Sequence, residues 1–204
     1  MRPVLTLLLL AVLCACVPGA DDRPWKARVG DLYPDLALID HTGRRLQLSD
    51  FKGRVILLEP VGMTCKACNA FAGGQTRGGF AGIRPQQGLD SIESYLARFG
   101  GTSLGYGHVV LIQWLIYDLK DGAPGPADAR AWAEHFGLDQ RGDVHVVVSP
   151  RDMRSAAARA RIPGFQLIDR RFVLRADSTG SRPHDDLYRG LLPMVPDLIG
   201  EPAG

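Results

Sequence analysis

The chain has 204 residues, enough for one well-buried domain and too few for two of ordinary size. Its composition is globular, 46% hydrophobic and 23% charged, with no low-complexity tract and no internal repeat. A formal net charge of +2, with the basic residues scattered rather than gathered in a stripe, excludes the electrostatic footprint of a nucleic-acid binder.

The first residues carry a targeting pattern. Arg2 gives a positive start, residues 4–13 form an apolar run too short to span a bilayer, Cys14-Ala15-Cys16 is small, and polarity returns at Asp21-Asp22-Arg23. This order predicts a secretory signal over residues 1–20 and a tether over 21–28. Leu13-Cys14-Ala15-Cys16 also resembles a bacterial lipobox, in which Cys16 is lipidated. The plainer reading makes Cys16 a small residue discarded with the signal. Either way the domain is expected outside the cytoplasm, in the periplasm or anchored to a membrane facing it.

From Val29 onward, apolar residues alternate on both sides of Thr42-Gly43, which predicts a hairpin. Arg54-Val55-Ile56-Leu57-Leu58 reads as a strand buried on both faces. Pro60 and Gly62 then end the strand, so the following Cys65-Lys66-Ala67-Cys68 is expected on a loop leading into a helix. Residues 71–88 are glycine-rich and lack an apolar period of 3.6. Residues 89–99 have one, with Leu89, Ile92, Leu96 and Phe99 on one face. A strand over 108–117, a helix over 127–136 closed by Gly137, and a strand over 144–148 follow. Next come an alanine-rich helix over 152–161, stopped by Ile162-Pro163-Gly164, and strands over 165–168 and 172–176. A last short helix over 187–192 is cut by Pro193 and Pro196. Strands alternating with helices predict an α/β domain over 29–200, with a mainly parallel sheet covered on both faces and a closing antiparallel hairpin. Trp114 and Trp132 are expected in the core; Trp25, in the tether, is either exposed or docked.

Cysteine use narrows the chemistry. With Cys14 and Cys16 in the targeting segment, only Cys65 and Cys68 remain in the folded part. A ring closed over two intervening residues adds little loop-closure entropy, so reactivity explains the pair better than stapling.

With these residues in place, the chain resembles the thioredoxin superfamily, most closely its exported TlpA/ResA-like, redoxin-type branch. The resemblance runs from about Val29 to Leu192. It is carried by Val29-Gly30-Asp31 with Pro34, Leu48-Ser49-Asp50-Phe51-Lys52-Gly53-Arg54, the Cys-X-X-Cys after a buried strand, and Ile162-Pro163 before Phe165-Gln166-Leu167-Ile168-Asp169. It implies a central mixed sheet with helices on both faces, an N-terminal hairpin extension and a glycine-rich insertion at 71–88. It also implies a thiol-disulfide oxidoreductase working on protein disulfides with a redox partner and no cofactor. Cys65 would be the nucleophile and Cys68 the resolving thiol. Pro163 would be the superfamily's cis-proline beside the pair, and Glu59 its buried acid, able to shuttle protons to Cys68. A solvated strand-end glutamate is the plainer reading of Glu59. The chain departs from the pattern at Thr64, where an aromatic usually precedes the first cysteine, and in the insertion.

Two rivals share these residues. Gly62-Met63-Thr64-Cys65-Lys66-Ala67-Cys68 matches the loop of heavy-metal-associated copper chaperones, and two soft thiolates with Met63 suit Cu(I). The glycine-rich continuation does not fit those small domains, which leaves a Sco-like copper-delivery protein on a thioredoxin fold as the alternative. That family spaces its cysteines by three residues and adds a histidine, for which His108, His145 and His184 are candidates. A peroxiredoxin would need its cysteine where Ala67 stands; Cys68 is one residue late, roughly 100° around a helix.

Overall fold

The computed structural model describes residues 23–202. The expected signal and the lipidation candidate Cys16 lie outside the described residues. Seven strands form one sheet in the order β2-β1-β5-β4-β3-β6-β7. These are β1 (Ala37–Asp40), β2 (Arg45–Gln47), β3 (Val55–Gly62), β4 (Val109–Tyr117), β5 (Val144–Val148), β6 (Gln166–Ile168) and β7 (Leu174–Asp177). The central β3, β4 and β5 are parallel. The β1–β2 hairpin joins antiparallel on β5, and β6–β7 join antiparallel on β3. The sheet is therefore mixed, as the resemblance implies, but not mainly parallel as the strand–helix alternation predicts, because the two hairpins flank a core of only three parallel strands.

Burial on both faces explains the unbroken apolar runs. Along β3, Val55, Leu57 and Val61 face one core with Trp132, Phe136 and Phe165, while Ile56 and Leu58 face another with Trp25, Tyr33 and Trp114. The first core is roofed by α2 (Lys66–Phe71), α4 (Ile92–Phe99), α5 (Pro126–Phe136) and the C-terminal α7 (Val195–Gly200). The second is covered by the N-terminal segment, with its one-turn α1 (Arg23–Lys26), and by α6 (Ala156–Ala160). Trp25 is docked, its ring stacked on Trp114 at 4.9 Å and 14°.

Several boundaries differ from the sequence reading. Strand β3 does not stop at Pro60 but runs to Gly62. The Val55 and Met63 amides both donate to the β4 side, to His108 and Tyr117 carbonyls. Alternation then turns the Pro60 nitrogen toward β6, whose pairing ends at Leu58, so no ladder bond is lost. The helix expected over 152–161 begins only at Ala156, because Ser155 caps it by accepting from the Ala158 amide while Asp152 binds the Arg154 backbone and guanidinium. Pro193 and Pro196 do not cut the last helix. A π-helical turn (Leu187–Leu191) leads through a 3-10 turn (Leu192–Met194) into α7, and each proline sits where a first helical turn needs no amide.

The glycine-rich insertion is ordered by contacts rather than by periodicity. Helix α2 ends at Phe71, and Gly73 turns the chain with φ +103°, a left-handed conformation that favours glycine. A short α3 (Gly74–Arg77) and a 3-10 turn (Phe80–Gly82) follow. The Phe80 ring packs 5.4 Å from Trp132 and 5.5 Å from His135 of α5, and the Gln86 amide donates to the Lys66 carbonyl at 2.9 Å.

Candidate active site

The carboxyl ends of β3 and β4 and the start of β6 meet at one end of the sheet. Leu58 of β3 is registered with Gln166 of the antiparallel β6, so the Ile162-Pro163-Gly164 loop before β6 lies at the end where β3 delivers Cys65. The Ile162–Pro163 bond is cis. Gly62, paired with Tyr117, passes beneath the Tyr117 phenol, and a Cβ there would overlap it. Any larger residue there requires the phenol to swing aside.

Cys65 is the N-cap of α2, with extended backbone (φ −71°, ψ 119°), and its Sγ accepts from the Cys68 amide at 3.2 Å. Its own amide donates to the Gly62 carbonyl at 2.9 Å. Thr64 and Lys66 are exposed and Cys65 half-buried, whereas Cys68, one turn in, is fully buried. Both cysteines are free thiols. The hydrogen bond from the Cys68 side chain, with help from the Cys68 and Ala67 amides, holds the Cys65 thiol below its ordinary 9.0 against the pull of partial burial. Burial pushes the Cys68 thiol well up, and the neighbouring Cys65 and Glu59 add to the shift. The pair is thus split into an accessible acidic thiol and a buried weak one.

Glu59 is not at a strand end. It lies within β3, fully buried, its side chain on the same face as Cys68. The Gln113 amide of β4 donates to Oε2 at 2.8 Å, and Trp132 Nε1 donates to Gln113 Oε1 at 3.0 Å, which fixes the orientation of that amide. Oε1 has no hydrogen-bond partner. Burial therefore raises the Glu59 carboxyl well above its ordinary 4.5.

Sequence reasoning missed three residues here. Gln113 interrupts an otherwise apolar strand run, and that interruption was the available signal. Tyr117 borders the pair; burial and the proximity of Cys65 and Cys68 raise its hydroxyl. Buried Asn69 holds the cysteine loop through its side-chain amide. The copper alternative finds no assembled ligand set. Met63 is packed in the core, and His108 precedes β4 at the far end of the sheet. His145 lies on β5 against Phe51, and exposed His184 pairs with Asp185. Among the described residues, no group of three or more His, Cys, Asp and Glu side chains is placed to hold a metal ion.

No protein-family model matches the chain, and no curated protein matches it significantly. Solved structures do. A putative protein disulfide isomerase from Bacteroides thetaiotaomicron aligns at TM-score 0.53 and 16% identity, over 86% of this chain and 92% of its own. A thioredoxin-like superfamily protein aligns at 0.53 and 21%, over 87% and 100%. A hypothetical protein from Sinorhizobium meliloti 1021 aligns at 0.53 and 16%, over 88% of each chain. At these identities the likeness speaks to architecture alone. The chain has the thioredoxin-like fold, with its cysteine pair at the start of the helix that follows the central strand.

Proposed function

We propose that the chain is an exported thiol-disulfide oxidoreductase acting on protein disulfides through Cys65 and Cys68. The observation that carries this reading is the split between the two sulfurs: one half-exposed thiol accepting an amide hydrogen bond, one fully buried thiol a single turn away. The Cys65 thiolate attacks one sulfur of a substrate disulfide, and the other substrate sulfur leaves as a thiolate and takes up a proton. Glu59 first releases its own proton to solvent and then takes the proton of Cys68 as that sulfur attacks Cys65 Sγ. The mixed disulfide breaks, the second substrate thiolate leaves, and the Cys65–Cys68 disulfide forms. Two electrons have passed from the dithiol to the substrate. A redox partner returns them by the reverse exchange.

Pro163, at the same end of the sheet, offers the substrate chain a backbone edge. Export rests on the leader pattern of residues 1–20, with Cys16 as the candidate lipid attachment that would tether the domain to a membrane facing the periplasm. The fold suits both readings; the redox reading is favoured by the placement of the histidines, none of which lies beside the pair.

Insulin reduction by the purified protein tests the activity. Wild type is expected to reduce insulin, and Cys65→Ser to abolish reduction with the fold intact by circular dichroism. A Cys65→Ser/Cys68→Ser protein that still reduced insulin would overturn the assignment.

A further inference from the structure

Asn69 follows the second cysteine, where no exchange chemistry requires an amide, yet it is fully buried with its hydrogen-bonding groups engaged. Its Nδ2 donates to the Met63 carbonyl at 3.1 Å and to the Cys65 carbonyl at 2.9 Å. Its Oδ1 accepts from the Phe80 amide at 2.8 Å. Its own backbone amide also donates to the Cys65 carbonyl, at 3.0 Å. One side chain therefore bridges the backbone on both sides of Thr64 to the 3-10 turn in the middle of the glycine-rich insertion. The insertion is fastened a second time by the Gln86 amide on the Lys66 carbonyl and by Gln75 Nε2 on the Gln86 carbonyl at 2.8 Å.

We infer that Asn69 is a positioning residue for the dithiol, through which the insertion at residues 71–88 locks the Cys65 backbone in its capping conformation. The inference rests on the redox reading of Cys65. The capping conformation is what brings Cys65 Sγ to the Cys68 amide, so loosening the Met63 and Cys65 carbonyls lengthens that contact and weakens the thiolate. The charged and titratable groups around Cys65 are Cys68 and Glu59 behind it, Tyr117 at the end of β4, and Lys66 beside it. Asn69 carries no charge, so a change in Cys65 titration on its removal reports geometry. The ring and the amide of Phe80 are separable. Phe80→Ala removes the packing on Trp132 and keeps the N–H, whereas Phe80→Pro removes the N–H as well, at a first-turn position that tolerates proline.

The test is an ultraviolet titration of the Cys65 thiolate in reduced wild type, Asn69→Ala, Phe80→Ala and Phe80→Pro, alongside insulin reduction at neutral pH. Asn69→Ala is expected to move the Cys65 midpoint upward and slow exchange roughly tenfold, the scale of one lost hydrogen bond, with Phe80→Pro shifted further than Phe80→Ala. A merely structural residue would lower the melting temperature and leave the midpoint in place, and that result overturns the inference. A second measurement needs no variant: in the 15N spectrum of the wild-type protein, the Asn69 side-chain amide should shift with the Cys65 titration. An Asn69 amide indifferent to Cys65 ionisation also overturns it. If wild type fails to reduce insulin, the functional reading falls, while the titration and the spectrum still decide the role of Asn69.

Discussion

Replacing Glu59 by glutamine separates the buried carboxyl's charge from its shape. In the folded protein the carboxyl's pKa lies above its ordinary 4.5, so on raising the pH the unfolded chain releases this proton first. Stability from this group is complete below pH 4.5 and is lost as the pH rises through the folded pKa, at about 1.4 kcal/mol per pH unit for one proton. The amide in Glu59→Gln can still accept from Gln113, but its NH2 falls where Oε1 now has no partner. In acid the wild-type carboxyl carries an O–H at that same unpartnered place, so the two proteins start close to equal there. The variant's stability does not change with this titration, so it gains on wild type steadily above pH 4.5 and stops gaining once the pH passes the folded pKa. Urea unfolding of the oxidised proteins across pH measures this, because a closed disulfide removes both cysteines from the titration. Parallel stability curves for wild type and variant above pH 4.5 would refute the argument and return Glu59 to an ordinary solvated acid.

Other outcomes follow from single contacts. Limiting iodoacetamide below pH 9.0 should alkylate Cys65 and spare Cys68, read by peptide mass spectrometry; equal labelling would contradict the split between the sulfurs. Gly62→Ala drives a methyl group into the Tyr117 phenol and should cost about 1–3 kcal/mol, while Gly62→Ala/Tyr117→Ala recovers part of that loss. The absence of any recovery in urea unfolding would place the clash elsewhere. Trp25→Ala removes a buried ring stacked on Trp114 and should lower stability by about 3–5 kcal/mol; a change under about 1 kcal/mol would mean that the N-terminal segment is not docked.

The architecture was legible because its signals are local. Val55-Ile56-Leu57-Leu58 and Val144-His145-Val146-Val147-Val148 announce buried strands, and Gly137 closes α5 as its position suggests. The misreadings share a different cause. Pro60 reads as a breaker unless it is known that β6 stops short of it, and Pro193 and Pro196 read as terminators unless each begins a new helical turn. Both facts depend on which neighbour lies alongside, which a single strand or helix pattern does not contain. Asn69 is the extreme case. Its partners Met63, Cys65 and Phe80 lie within eleven residues of it, but no periodic pattern links them, because the glycine-rich segment is held by side-chain and backbone bonds rather than by a buried stripe.

The two cysteines occupy opposite environments although only two residues separate them. The end of a parallel sheet leaves the residue that exits β3 at the rim and the residue one turn later beneath the helix, against the core. At the rim, the capping amide has no other acceptor and favours a sulfur anion. Beneath the helix, the buried Glu59 and the apolar packing disfavour one. Exchanging the order of events would require an anion where the core tolerates it least, so attack begins at Cys65. Glu59 acts only once Cys65 is tied up in a mixed disulfide and no longer presents a negative charge to the carboxylate. That loss of charge removes the smaller of the two causes that keep Glu59 protonated, while burial, the larger, remains. The charge on Cys65 thus raises both buried groups, and capping that sulfur in a mixed disulfide eases the proton off each.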